Sequence, residues 1–211
     1  MTQDPSPPTP YPASLSVDYP DRQLDRLSSL LRVIWAIPGI ILLALLSGSG
    51  GESEEGSFSF DGSSSLVFLP TVLTLLVLRK YPRWWFDWNV AVTCFSYRVS
   101  SFCLLLRDEM PALEEEQSVH VHVEPPDASR LHRLLPLVKW LLALPHIVIL
   151  LVLTIAVFIV AVCAWVAILF TGRYPRSMFD FNVGVLRWWL RVSAYAFLLT
   201  TDRYPPFSLD E

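Results

Sequence analysis

Hydrophobic residues are concentrated in a few long segments of this chain. The longest runs from Leu137 to Phe170, a stretch of 34 residues interrupted by the basic side chains of Lys139 and His146 and by no Asp or Glu. Such a run is longer than the core helix of a soluble domain needs, and it is typical of a membrane-embedded segment. The pattern therefore predicts an integral membrane protein.

The hydrophobic pattern occurs twice, and a polar-aromatic segment marks the repeat. Residues 81–90 (Tyr-Pro-Arg-Trp-Trp-Phe-Asp-Trp-Asn-Val) return as residues 174–183 (Tyr-Pro-Arg-Ser-Met-Phe-Asp-Phe-Asn-Val), with seven of ten positions identical. A repeat of this kind in an apolar chain predicts two copies of one membrane-embedded unit. The chain then divides into a disordered Pro-rich tail (residues 1–12), a first half (13–110) and a second half (111–211).

An insertion in the first half predicts where each unit turns. With Pro38 aligned to Pro145, Ser47 stands opposite Thr154, and the first half then carries 14 additional residues in the Gly-, Ser- and Glu-rich segment 47–65. Polar irregular backbone is not tolerated inside the hydrocarbon layer, so the insertion indicates a turn in water and a transmembrane helical hairpin in each half. The expected legs are Leu27–Leu46 and Leu66–Leu78 in the first half, and Leu131–Leu153 and Ile155–Thr171 in the second.

Charged residues beside the apolar segments predict the orientation in the membrane. The loop 47–65 contains four acidic residues and no Lys or Arg, whereas the other ends of the legs are basic. These basic residues are Arg22, Arg26, Arg32, Arg79, Lys80, Arg83, Arg130, Arg133, Lys139, Arg173 and Arg176. Because short loops rich in Lys and Arg stay in the cytoplasm, we expect the hairpin tips outside the plasma membrane and both termini inside.

Two amphipathic segments, Trp88–Leu106 and Phe181–Thr200, remain beyond the hairpins. In the second, Arg187 and Arg191 lie one helical turn apart and share a face. Such a segment suits a helix in the membrane interface, or one packed against the bundle with its arginines reaching water. A third span in each half is the alternative, but it would place basic segments outside. We therefore favour four spans plus two interfacial helices over six spans.

Two short segments alternate between apolar and polar residues and predict strands. They are Ala13–Tyr19 and Ser118–Glu124, each just before the first leg of its half. The alternation places His120, His122 and Glu124 on one face of the second strand. No further ligand is spaced to complete a metal site with the two histidines, so we expect a solvated face. The expected fold class is thus an all-α membrane protein with a small cytoplasmic sheet.

The recurring Tyr-Pro-Arg-x-x-Phe-Asp segment carries the candidate chemistry. Asp87 and Asp180 stand where the next helix is expected to begin, and each is predicted to be its N-cap. The aromatic residues suit an interfacial belt at headgroup depth. Arginines between aromatic walls could also hold a lipid headgroup or small anion. The candidate contacts for such a site are Arg83, Arg98, Arg176, Arg187, Arg191, Trp188 and Trp189.

Composition and motifs narrow the functional classes. The chain is 53% hydrophobic and 17% charged, and its basic residues are too few for a nucleic-acid surface. No nucleophile elbow, phosphate loop or zinc-ligand pattern occurs, so no catalytic residue, cofactor or metal is expected. A non-catalytic scaffold or accessory subunit of a membrane complex is the leading hypothesis. A transporter of small anions or lipids, or a headgroup-binding module, is the alternative. The expected partners are the lipid bilayer and a membrane protein or a second copy of the chain.

Several segments of the chain together resemble a known family. They are Ser16–Pro20, Trp35–Pro38, Ala164–Arg176, Phe179–Phe181 and Leu199–Phe207. These segments are similar to those of domain of unknown function 4389, a family of multi-pass membrane proteins common in actinobacteria, here in two tandem copies. The resemblance spans residues 11–209 and is weaker in the first half, where Arg107–Pro111 replaces the Tyr-Pro-Pro-Phe ending. It implies a membrane location and carries over no catalytic residue.

Overall fold

The described part of the protein is mostly helical, with one small sheet. The structure is a computed structural model that describes residues 11–20, 26–46, 82–112, 117–125 and 135–210. In chain order the elements are β1 (Ala13–Val17), α1 (Arg26–Leu46), α2 (Arg83–Cys103), β2 (Val119–Val123), α3 (Leu135–Thr171) and α4 (Arg176–Ala196). The helical fold class and the two strands are therefore confirmed. The predicted leg Leu66–Leu78 and loop 47–65 lie outside the described residues.

Helix α3 is one continuous helix of 37 residues, so the predicted hairpin in the second half is wrong. Thr154, where the turn was expected, lies inside the helix, and its Oγ1 donates a hydrogen bond to the carbonyl oxygen of Leu150 at 2.8 Å. Between Pro145 and Gly172 the sequence contains no Gly or Pro that could end the helix. It ends only where Gly172 adopts a left-handed φ of 71°. One long helix thus replaces two of the four predicted spans.

Helices α2 and α4 begin directly after a proline. The N-cap residues are Pro82 (φ −60°, ψ 128°) and Pro175 (φ −64°, ψ 127°), so the prediction that Asp87 and Asp180 are N-caps is wrong. The proline carbonyls accept the first helical hydrogen bonds, for example from the backbone N–H of Phe179 at 3.1 Å. Proline suits this position because its fixed φ is compatible with helix entry and its missing N–H would have no partner there. Both aspartates are exposed in the second helical turn.

The two strands form the predicted sheet, and each strand packs against a helix of the other half. β1 and β2 pair antiparallel with Leu15 opposite Val121. The alternate residues Ala13, Leu15 and Val17 are buried, whereas His120, His122 and Glu124 share an exposed face as predicted. β1 comes from the first half but packs on α4, while β2, which leads into the second half, packs on α2. The sheet therefore ties each half to the other.

The chain leaves α2 and α4 through the same unusual backbone conformation. Leu105 and Leu199 adopt left-handed φ values of 60° and 56°. This region is unfavourable for a branched side chain, but both leucines are buried, and this burial offsets the backbone cost. After Leu199 the chain continues as the C-terminal strap, residues Arg203–Asp210, which lies back over α4. Gly184 permits this close approach, because a Cβ there would lie 3.0 Å from the Cβ and the carbonyl oxygen of Leu209.

The described elements are arranged in layers. α4 packs against α3 on one side and against β1 on the other. Most of its residues are buried between these layers. α1 packs against both α2 and α3. The outer surfaces of α1 and α3 expose a wide set of large apolar side chains, whereas the opposite surface carries the polar face of the sheet. The molecule therefore has one apolar side and one polar side.

Candidate functional site

A buried lysine near the start of α3 holds the turn that follows α4. Lys139 is 0% exposed, and its Nζ donates to the carbonyl oxygen of Thr201 at 2.7 Å. The same Nζ lies 2.6 Å from Oδ1 of Asp202 and 5.3 Å from the centre of the Tyr195 ring. A charge can remain buried only when it is paired and hydrogen-bonded in this way. Lys139 therefore acts as a clamp between α3 and the segment leading to the strap.

An arginine makes the matching contacts in the first half. Arg32 is 3% exposed, donates to the carbonyl oxygen of Arg107 at 3.1 Å and forms an ion pair with Asp108. Its guanidinium carbon lies 5.0 Å from the centre of the Phe102 ring. The charge pattern in the sequence predicted Arg32 and Lys139 at the membrane edge but did not predict their partners. The feature of the sequence that indicates these partners is an aspartate shortly after the end of each helix, Asp108 after α2 and Asp202 after α4.

His146 is enclosed by aromatic side chains in the core of the second half. It is 0% exposed, and its Nδ1 accepts a hydrogen bond from Nε1 of Trp188 at 3.1 Å. Its ring is stacked on Phe207 of the strap, with centroids 3.9 Å apart, and lies 4.8 Å from the ring of Tyr204. Because indole can only donate, Nδ1 is the acceptor and the proton is on Nε2. His146 is therefore a hydrogen-bonded histidine of the protein core.

Three of the arginines named as candidate headgroup contacts donate to backbone carbonyls. Nε of Arg187 donates to Leu15 in β1 at 2.8 Å, which anchors the strand on α4. Arg191 donates to the carbonyl of Ser208 at 3.1 Å and to that of Asp210. Arg98 donates in the same way to Ala112, beyond the end of α2. These guanidinium groups therefore satisfy backbone acceptors and fix neighbouring segments.

The remaining candidates divide between the core and the surface. Trp188 bonds His146, and Nε1 of Trp189 donates to Oγ1 of Thr154 at 3.2 Å, so both indoles serve the α3–α4 contact. Arg176 is exposed and lies 4.7 Å from the centre of the Tyr19 ring. Arg83 is exposed at the start of α2. α2 and α4 do not pack extensively on each other, so the candidates are not gathered around one centre. Headgroup binding stays a prediction.

The tyrosine of the recurring segment in the second half, Tyr174, has a buried hydroxyl that is hydrogen-bonded on two sides. It accepts a hydrogen bond from Nδ2 of Asn182 at 2.8 Å and donates to the carbonyl of Leu104 at 3.4 Å. Burial raises the pKa of Tyr174 to about 12, although the bond from Asn182 opposes the shift. The two hydrogen bonds of the hydroxyl connect α4 to the segment that follows α2. Among the described residues, no group of three His, Cys, Asp or Glu side chains could hold a metal ion.

Glu109 links the end of α2 to the start of β2. Its carboxylate accepts bonds from the backbone N–H and the hydroxyl of Ser118, at 3.2 and 2.7 Å, and pairs with Arg107 at 2.9 Å. Burial alone would raise the pKa of Glu109, but the bonds from Ser118 and the charge of Arg107 outweigh it and lower the pKa.

A lowered folded-state pKa means that this carboxylate stabilises the fold above its unfolded pKa and ceases to do so as the pH falls through the folded value. Acidification from pH 6 to pH 3 should therefore destabilise the wild type more than Glu109→Gln. The difference should be below about 1 kcal/mol, since the site is partly exposed. Thermal unfolding at both pH values measures it, and equal pH dependence of the two proteins would contradict the assignment.

The apolar side of the molecule is the largest feature on its surface. Residues Leu141–Thr171 of α3 form the one helix within the described ranges that is long and apolar enough to cross a membrane, and the apolar part of α1, Ile34–Leu46, is shorter. Most of the α3 segment is exposed, which distinguishes it from the buried core helix of a soluble protein. This surface indicates association with a membrane.

Comparison with known proteins gives one family match, which covers part of the chain. No curated protein and no solved structure matches the chain. Residues 135–208 match the model of a family described as Domain of unknown function (DUF4389). The matched segment contains α3, α4 and most of the strap, including Lys139, His146 and Arg191. The match supports assignment of this part of the chain to the DUF4389 family.

Proposed function

We propose that the protein is an integral membrane protein that serves as a non-catalytic scaffold or accessory subunit of a membrane complex. The exposed apolar surface of α3 is the observation that carries the membrane location, because a continuous face of this size is unfavourable in water. We further propose that the termini and the sheet are cytoplasmic. A multi-pass arrangement would require crossings in the first half, where residues 47–81 lie outside the described part.

Equivalent contacts in both halves support a chain made of two copies of one unit. Each half has a buried cation paired with an aspartate, namely Arg32 with Asp108 and Lys139 with Asp202. Each has a helix that begins after proline and is followed, two or three residues past its end, by a left-handed leucine. Each also has an arginine, Arg98 or Arg191, that donates to a carbonyl beyond that helix. We infer that the copies form a pseudo-symmetric pair joined through the sheet.

A scaffold is favoured over an enzyme because the two buried basic side chains of α3, Lys139 and His146, already serve internal contacts. Lys139 is held by Thr201 and Asp202, and Nδ1 of His146 is occupied by Trp188. Catalytic groups need access to a substrate, and these two are 0% exposed. The polar face of the sheet is, in contrast, open to a partner. It carries Ser14, Ser16, Asp18, His120, His122 and Glu124, all of them exposed.

The first test is purification in mild detergent, followed by identification of the proteins and lipids that remain bound. A stoichiometric partner protein is expected. Replacing His122 by Glu should reduce its recovery at least tenfold, because the change adds charge at the centre of the exposed sheet face. The control is Asp180→Ala, an exposed change on α4 and not on either strand, which should leave recovery unchanged. Equal recovery with both variants would contradict a partner on the sheet.

Lipid or anion binding is the second candidate, favoured by exposed groups at the starts of α2 and α4. Arg83 and Arg176 are exposed there, and Trp84 is 70% exposed beside Arg83. A retained anionic lipid without a partner protein would support this candidate. The double variant Arg83→Gln/Arg176→Gln should then weaken retention about 30-fold, since each basic group near an anionic surface contributes about 1 kcal/mol.

A further inference from the structure

We propose that α3 does not cross the bilayer but lies in the plane of its cytoplasmic leaflet, with the exposed apolar face in the acyl chains of that leaflet. The inference rests on the proposed membrane location and specifies the surface that the membrane contacts. It leaves any crossing of the bilayer to the first half. Four independent features of α3 and its surroundings lead to it.

Both ends of α3 are flanked by basic residues. Arg130 and Arg133 precede the helix, and Arg173 and Arg176 follow it. Short basic segments remain on the cytoplasmic side of a membrane, which places both ends on the same side. A hairpin would reconcile this charge pattern with two crossings, but the helix runs without a break through Thr154. A continuous helix with two cytoplasmic ends has to lie along the membrane.

The position of the sheet leads to the same arrangement. Arg187 donates to Leu15 at the centre of β1, and the next two residues of α4, Trp188 and Trp189, bond His146 and Thr154. The centre of the sheet therefore stands beside the central part of α3, separated from it by the thickness of α4. If α3 crossed the bilayer, a polar two-stranded sheet would stand at hydrocarbon depth, where unpaired edge groups are very costly. With α3 in the plane, the sheet lies in water above it.

The length and the faces of the helix fit the membrane plane. The apolar segment Leu141–Thr171 has 31 residues, and at 1.5 Å per residue it is about 46 Å long, against about 30 Å of hydrocarbon. Its buried residues recur about once per turn along the whole length, and the exposed ones cover the opposite face. The buried set is Ala143, His146, Leu150, Val157, Ala161, Ala164 and Ile168, and the opposite set is Leu141, Val148, Val152, Ile155, Ile159, Val162 and Val166. One face of α3 is thus covered along its whole length, and the opposite apolar face is free to contact acyl chains along the same length.

The insertion in the first half is also explained. In the alignment of the halves, the polar residues 47–65 enter opposite Thr154, near the middle of the apolar helix of the second half. In a crossing helix this point would lie at the centre of the hydrocarbon, where Gly, Ser and Glu backbone is not tolerated. In a helix lying at the interface the same point is within reach of water. The insertion therefore does not require a turn in the second half.

The test compares the two ends of α3 in the full-length protein in its native membrane. Ser177→Cys places a thiol just beyond the end of α3, and Arg203→Cys places one near its start, since Thr201 and Asp202 contact Lys139; both positions are exposed. Both thiols should react with a membrane-impermeant maleimide in inverted vesicles, and each should react at least tenfold less in intact cells. Peptide mass spectrometry separates them from Cys94, Cys103 and Cys163.

A second measurement compares depths along the exposed face. Spin labels at Val148, Ile155 and Val162 occupy successive positions seven residues apart on that face. In the plane of the leaflet, their collision rates with dissolved oxygen should agree within about twofold, whereas a crossing helix would give a maximum at the middle position. Labelling of either end in intact cells, or a depth maximum at Ile155, overturns the inference while the membrane location stands. Recovery of the protein in the soluble fraction after an alkaline wash would instead overturn the proposed function.

Discussion

Replacing Asp202 by Ala is expected to lower the free energy of unfolding by about 3 to 5 kcal/mol. The change leaves the ammonium of Lys139, which is 0% exposed, with the carbonyl of Thr201 as its remaining hydrogen-bond acceptor among the described residues. An uncompensated buried charge is among the most destabilising consequences of a single substitution. Chemical denaturation in detergent micelles measures the loss.

The charge itself, and not the contact area, should account for this effect. Lys139→Met removes the charge and leaves Asp202, whose side chain is 25% exposed and can be hydrated, so the loss should be clearly smaller. The double variant Lys139→Met/Asp202→Ala should recover most of the stability lost in Asp202→Ala. Equal destabilisation in the single and double variants would contradict a buried ion pair. Asp108→Ala should cause a similar loss of stability to Asp202→Ala, because it removes the carboxylate that pairs with Arg32, which is 3% exposed.

Alanine at two helical glycines is expected to act with opposite sign. At Gly184 the new Cβ would lie 3.0 Å from both Cβ and the carbonyl oxygen of Leu209, so the strap has to move. Overpacking of this kind costs about 1 to 3 kcal/mol. At Gly39 the nearest atoms, Cγ2 of Val99 and Cγ of Pro111, lie at 3.5 and 3.7 Å, which is an ordinary contact. There the helix should gain about 0.5 to 1 kcal/mol.

The two variants form a matched pair, since each exchanges a helical glycine for alanine. Thermal unfolding should place Gly184→Ala below the wild type and Gly39→Ala at or above it. Tryptic cleavage after Arg203, which is exposed at the start of the strap, should also be faster in Gly184→Ala. Unchanged cleavage together with unchanged stability would show that the position of the strap does not depend on the absence of a side chain at Gly184.

Local patterns in the sequence predicted the elements whose physical cause is itself local. Alternation over Ala13–Val17 and Val119–Val123 gave both strands and their exposed face. The apolar run predicted helical structure over the range of α3, although as two legs, and the recurring Tyr-Pro-Arg segment predicted helices close to the starts of α2 and α4, which begin before the two aspartates. Proline at the N-cap was missed because aspartate is the more common capping residue. Proline fixes φ and lacks a donor, so the helix can begin before the aspartate is reached.

The errors arose where the outcome depends on partners distant in the chain. The hairpin at Thr154 was inferred from membrane thickness, but no residue there stops a helix, and α4 supplies Trp189 as a partner for the Thr154 hydroxyl. The backbone contacts of Arg98, Arg187 and Arg191 were not predicted, because their acceptors are carbonyl oxygens of other segments. Leu15, bonded by Arg187, is 172 positions away in the chain. Sequence patterns identify donors far better than they identify which carbonyl will be nearby.

The exchange of strands between the halves has a consequence for synthesis on the ribosome. Leu15 is made early, but the Arg187 that holds it follows 172 residues later. At about 5 to 20 residues per second, this interval lasts roughly 10 to 30 s. During that time β1 has no α4 to cover its apolar face. Chains that terminate before α4 leave this strand permanently uncovered, so incomplete products should be the ones that chaperones and proteases recognise.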